Sequence, residues 1–278
     1  MTRLWEEQVV TVDGVRYTGI DTGEGTEGAR TVVLLHGNSG SWESFIPLIE
    51  LLAPRQRVIA FDQRGFGGSV PLRDRLDYLE MADDTAAILR ARGVESAIFV
   101  GFSMGAGVLQ ALAVRRPRLV DAALYGGMAR IDGGPSSLDP STLPPAVRAS
   151  LIENRVPSDA EIRDSAGFAF GARTRREHPD LIEAVYERLR SHDWAAAAQR
   201  GLSASGLGDI DPRRMHAPAV VLIGEEDRCV PLASARELAS ALPDAELIVV
   251  PEAGHALMFE ALPQVLAAVR RLEQRLIS

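Results

Sequence analysis

The chain has 278 residues, 46% hydrophobic and 24% charged, a globular balance at a length that buries about 75% of the unfolded surface without disulfide or metal staples. Its formal charge of -8 excludes the basic footprint that nucleic-acid binding needs, and its single cysteine, Cys229, excludes an intrachain disulfide and any multi-cysteine metal site. All 30 basic residues are arginine, so a Schiff-base lysine, a pyridoxal phosphate anchor and a phosphate-loop lysine are excluded as well.

The opening "MTRLWEEQVV" has two glutamates and no apolar run of signal-peptide length, and no later stretch reaches about 18 uninterrupted apolar residues. The expectation is a soluble, cytoplasmic protein without membrane contact. Strands are expected at Gln8–Val12 and Val15–Asp21, joined by the hairpin signal Asp13-Gly14. Further apolar runs predict strands at Thr31–His36, Arg57–Asp62, Ala97–Phe102, Asp121–Gly127, Ala219–Gly224 and Glu246–Pro251. Amphipathic stretches between them predict helices at Trp42–Leu52, Leu79–Arg92, Met104–Arg115, Ala233–Ala241 and Leu257–Leu276. This alternation is that of an α/β protein: an eight-stranded, mostly parallel sheet flanked by helices.

From about residue 129 to 215 the rhythm breaks, with several helical patterns and no strand. The reading is a core made of residues 1–128 and 216–278, with 129–215 inserted as a helical cap. "GGPSSLDPSTLPP", from Gly133 to Pro145, reads as a mobile entry to that insertion.

"GFSMG", Gly101 to Gly105, fits G-x-S-x-G between an expected strand and an expected helix. A nucleophile held on so tight a turn needs small neighbours, which the two glycines supply; the bland reading is a glycine-rich bend. "GEEDRCVP" leaves the seventh strand with three acids, of which Asp227 has the spacing of an acid that orients a histidine; Glu225 and Glu226 are its rivals. Of five histidines, His255 alone lies at a sheet edge downstream of that acid. Ser103, Asp227 and His255 thus stand in the order serine, acid, histidine.

In "HGNSGS", "DQRGFGGS", "GFSMG", "GEEDRCVP" and "GHALMFE", in that order, the chain resembles the α/β-hydrolase superfamily over nearly its whole length. The resemblance implies a helical cap, no metal and no organic cofactor, a catalytic triad of Ser103, Asp227 and His255, and an oxyanion hole from the backbone N–H groups of Asn38 and Met104. His36 is then structural, "DQRGFGGS" resembles the family's structural turn after the fourth strand, and Arg64 is not assigned to chemistry. A serine at the elbow separates the chain from haloalkane dehalogenases and typical epoxide hydrolases, which resemble it but use an aspartate. The absence of lysine separates it from plant-type hydroxynitrile lyases.

The chain departs from the carbon–carbon hydrolases of aromatic ring cleavage at Phe102 and Ala256, and from proline iminopeptidases at Met104. "GFSMG" is similar to cofactor-free perhydrolases, and "HGNS" resembles some acyl-homoserine lactone hydrolases. The expected substrate is a small-molecule carboxylic ester or lactone. A carbon–carbon hydrolase, an acyltransferase or perhydrolase on the same triad, and a non-catalytic ligand receptor stay open. Trp42, Phe102, Met128, Phe168, Trp194 and Met258, with Phe170 and Tyr186, are candidates for an apolar substrate pocket; Arg173, Arg175 and Arg176 are candidates for a substrate carboxylate.

Overall fold

A computed structural model describes residues 5–12, 14–38, 40–69, 77–129, 143–195, 198 and 210–277. β1 (Gln8–Val12) pairs antiparallel with β2 (Val15–Asp21), which pairs antiparallel with β4 (Val58–Phe61). β4, β3 (Val32–Leu35), β5 (Ala97–Phe102), β6 (Val120–Gly126), β7 (Ala219–Gly224) and β8 (Ala245–Val250) then run parallel. The sheet order is β1-β2-β4-β3-β5-β6-β7-β8. The eight strands lie within one residue of their expected ends; Asp13 of the hairpin turn lies outside the described residues.

The parallel strands are apolar on both faces because helices cover both. Alternate residues separate into two layers. Val32, Leu34, Ile98, Val100, Val220 and Leu222 pack under α1 (Ile46–Leu52) and α10 (Leu262–Arg275). Val33, Leu35, Phe99, Tyr125 and Val221 pack under α2 (Tyr78–Ala91), α3 (Met104–Arg115) and α8 (Leu232–Ala241).

Two expected helices are divided. The stretch from Trp42 opens as a 3-10 turn, Trp42–Phe45, before α1, whose first turn holds Pro47. The helix expected over Leu257–Leu276 breaks at Ala261 (φ -139°, ψ 28°) into α9 (Leu257–Glu260) and α10. Pro263 fits only a first turn, since it lacks the N–H that a continuous helix requires there.

Between β6 and β7 the chain forms α4 (Pro145–Leu151), α5 (Asp159–Phe168), α6 (Ala172–Glu177) and α7 (Pro179–Arg190), with no strand among the described residues. α4, α5 and α7 share a small core of Ala146, Ile162, Ala166 and Tyr186, joined by Trp194, and Ser158 and Glu161 close a capping box at the start of α5. Most of the segment expected to be a mobile entry, residues 133–142, lies outside the described residues.

The α5–α6 corner is fastened to the loops that follow β7 and β8. Glu260 accepts from Gly171 N–H and Gly254 N–H, both at 2.8 Å, and Ala256 N–H donates to the Ala169 carbonyl at 2.9 Å. Arg228 donates to the Gly167 and Phe168 carbonyls. Backbones approach so closely that a Cβ on Gly254 would sit 2.6 Å from the Ala169 oxygen, and one on Gly171 only 2.2 Å from that of Glu252.

Candidate active site

Because the central strands are parallel, the residues that follow them gather at one sheet edge. Ser103 ends β5 and starts α3 with φ 50° and ψ -122°, a conformation that costs a non-glycine residue on the order of 1–3 kcal/mol. Its N–H donates to the Gly126 carbonyl at 2.8 Å, and its carbonyl accepts from Ala106 N–H, which pins the turn. A Cβ on Gly105 would lie 2.0 Å from the Leu35 oxygen, and one on Gly101 would lie 2.7 Å from Ala106 Cα. Both flanking glycines are therefore demanded by backbone approach.

The turn after β3 is fixed from beneath. His36 is buried; its Nδ1–H donates to the Gly37 carbonyl at 2.8 Å, and its Nε2 accepts from Gln63 N–H at 2.9 Å. Burial is the main cause that pulls this imidazole down to about 4, so it is neutral. The Gln63 amide donates to the His36 carbonyl at 2.6 Å, and Asp62 accepts from Trp42 N–H and Gly68 N–H, each at 2.8 Å. The "DQRGFGGS" segment thus acts as a brace for the Gly37–Asn38 turn. Arg64 pairs with Asp84 and Glu80. The backbone N–H groups of Asn38 and Met104 have no hydrogen-bond partner among the described residues, and both residues line the cavity described below.

Asp227 Oδ2 accepts from His255 Nδ1–H at 2.8 Å, and Asp227 Oδ1 accepts from Cys229 N–H and Val230 N–H at 2.8 and 2.9 Å. The Asp227 side chain is wholly buried and that of His255 nearly so. Of the rival acids, Glu226 turns away and accepts from Ala172 N–H at 2.6 Å, and Glu225 is exposed. Asp227, Cys229 and His255 also bring three potential metal donors within 4.8 Å of one another. Both carboxylate oxygens there are already committed to protein donors, and burial, aided by Asp227, pushes the Cys229 thiol well up. The donor set therefore fits a hydrogen-bonded carboxylate–imidazole pair better than a resident cation.

A cavity of about 610 Å³ opens between the sheet edge and the inserted helices, and Asn38, Ser103, Met104 and His255 lie on its wall. Of the pocket candidates, Phe102, Met128, Trp194 and Met258 line it, as does Phe170. The Phe102 ring lies 5.1 Å from that of His255. Three aromatic candidates are placed elsewhere. Trp42 is buried in the layer under α1, its indole donating to Glu7; Phe168 lies under the Arg228 guanidinium at 4.5 Å; Tyr186 fills the core of the insertion. Arg173 and Arg176 pair with Glu177, and Arg175 donates to the Phe170 carbonyl, so none of the three lines the cavity. Tyr78, Val185, Arg188 and Leu189 do, and were not singled out. On α7 the last three share a face at i, i+3 and i+4, the one signal that could have found them.

RutD of Agrobacterium fabrum, named provisionally as a carbamate hydrolase, is 30% identical over 242 residues, covering 82% of this chain and 87% of that protein. A non-heme haloperoxidase of Rhodococcus erythropolis is 27% identical, covering 90% and 92%. Among solved structures, the N-acyl homoserine lactone degrading enzyme Est816 superposes with a TM-score of 0.76 at 25% identity, covering 95% and 99%. The enol-lactonase of Burkholderia xenovorans LB400 superposes with a TM-score of 0.80 at 20% identity, covering 96% and 100%, a likeness of fold. No helix among the described residues is long and apolar enough to cross a membrane. The family model described as "Alpha/beta hydrolase family" matches residues 32–269, and the chain belongs to that family.

Proposed function

We propose that the protein hydrolyses carboxylic esters or lactones through an acyl-enzyme on Ser103. The observation that carries this reading is the 2.8 Å His255–Asp227 contact beside a cavity that also holds Ser103 in its strained turn. With Nδ1–H committed to Asp227, His255 Nε2 presents a lone pair that takes the Ser103 proton as Oγ attacks the acyl carbon. The N–H groups of Asn38 and Met104, with the positive end of α3 behind the second, receive the charge that develops on the carbonyl oxygen. His255 then gives its proton to the departing alkoxide. In deacylation His255 takes a proton from water, the hydroxide attacks the acyl-serine, and the acid leaves as the proton returns to Ser103 Oγ. Asp227 stays ionised and holds the imidazole in the productive tautomer.

In this reading residues 129–215 are the cap and residues 1–128 and 216–278 the core. Val147, Phe170 and Leu189, all from the stretch between β6 and β7, are on the cavity wall, which supports the division. Most of that wall is aliphatic or aromatic, which suits the hydrocarbon part of an ester or lactone. The test is intact-mass spectrometry after exposure to a small fluorophosphonate. One adduct on the wild type and none on Ser103→Ala is expected; a folded wild type that stays unlabelled, or equal labelling of both, overturns the reading.

A further inference from the structure

Among the described residues no aspartate or glutamate lines the cavity, and Arg188 is its single arginine. Helix α7 directs it there together with Val185 and Leu189, so one charged head stands on an otherwise apolar helical face. Its charge also acts on the imidazole of His36, beneath the turn that carries Asn38.

The state of Arg188 differs from that of its neighbours. In the stretch between β6 and β7 Arg155 pairs with Glu161, Arg163 with Glu183, Arg173 with Glu177 and Arg190 with Glu187. Arg175 is taken up by the Phe170 carbonyl. The guanidinium of Arg188 has neither a carboxylate nor a carbonyl partner among the described residues, in a chain whose net charge is -8. Arg188 is itself exposed, yet it lines the cavity wall, where Arg155, Arg163, Arg173, Arg175 and Arg190 do not. A planar guanidinium left open beside apolar walls is matched by a carboxylate, which it grips with two parallel hydrogen bonds.

We infer that the substrate is an ester or lactone that carries a free carboxylate, and that Arg188 is the residue that selects it. This rests on the acyl-enzyme reading above. The apolar walls take the hydrocarbon between the two ends of such a molecule, while Arg188 fixes the charged end and so sets where the scissile carbonyl lies relative to Ser103.

Two probe pairs test it: 4-nitrophenyl hemiglutarate against 4-nitrophenyl pentanoate, and 4-butyryloxybenzoate against phenyl butyrate. They place the carboxylate on the acyl and on the leaving-group side. Within each protein the ratio of kcat/KM for the anionic and neutral members is the readout, so differences in expression or active fraction cancel. In at least one pair the wild-type ratio is expected to fall about tenfold in Arg188→Gln, chiefly through KM, and to recover partly in Arg188→Lys. Ratios unchanged by Arg188→Gln in both pairs overturn the inference and leave the acyl-enzyme reading standing. If neither neutral ester is cleaved and Ser103 resists fluorophosphonate, that reading is the one that fails. Calorimetric titration with glutarate then decides for Arg188: binding to the wild type that Arg188→Gln abolishes supports the inference, and equal or absent binding in both refutes it.

Discussion

Acid should unfold this protein through His36. The fold holds that imidazole neutral, buried, with Nδ1–H on the Gly37 carbonyl and Nε2 accepting from Gln63, and its pKa falls from 6.5 to about 4. In the unfolded chain the ring takes up a proton near its ordinary value, so between those two values the unfolded state binds more protons. The His36 contribution is therefore complete above pH 6.5 and is lost as the pH falls towards 4. From about pH 7.5 to about pH 4.5 this one group should remove about 2.5 kcal/mol of stability. Urea denaturation across that range, compared with His36→Gln, isolates it. The variant is less stable at neutral pH, and the gap between the two proteins should close by about that amount on acidification. Parallel stability curves would refute the assignment of a neutral, desolvated imidazole. The same proton would displace the Gln63 N–H from Nε2 and loosen the Gly37–Asn38 turn, so activity should fade together with stability.

Gly105→Ala should cost about 3 kcal/mol or prevent folding, because its new methyl would lie 2.0 Å from the Leu35 oxygen and backbone cannot give way cheaply; thermal melting reads this, and a wild-type Tm would contradict the close approach. Asp227→Asn should lower kcat about ten-thousandfold by releasing the imidazole tautomer, whereas Glu226→Gln, whose side-chain oxygen can still accept from Ala172 N–H, should stay within about threefold; the reverse order would reassign the acid. Native Cys229 should react with a disulfide reagent at least about a hundredfold more slowly than in the urea-unfolded chain, since its thiol is desolvated beside a carboxylate; labelling at the unfolded rate would show an accessible thiolate.

What could be read from the letters was whatever local chemistry fixes. Met104–Arg115 was legible at both ends because the constrained serine turn starts the helix, and "GFSMG" announced that turn. Asp227 and His255 were legible from chain order and from their places after the last two strands, although only the folded chain distinguishes Asp227 from Glu226 by what each carboxylate accepts. The breaks in the first and last expected helices had a written signal, Pro47 and Pro263, that periodicity alone passed over. The pocket wall was harder. Phe168 meets an arginine 60 positions later, and Trp42 answers to the brace built by Asp62, so no local pattern reports where either ring goes. The segment "ARTRREH", whose arginines were candidates for a substrate carboxylate, is the short helix α6, and those arginines are occupied by Glu177 and by the chain's own carbonyl.

The fastening of the α5–α6 corner by Glu260, Ala256 and Arg228 bears on how such a protein can be recombined. A foreign helical insertion grafted between β6 and β7 would meet a loop whose glycines have no room for side chains and whose N–H groups expect particular acceptors. Exchange of specificity by whole-segment swapping would therefore disturb the loop that presents His255. The workable joints for a chimaera lie inside the insertion, with residues 167–172 left native, so that α7 can be rewritten while the imidazole keeps its place.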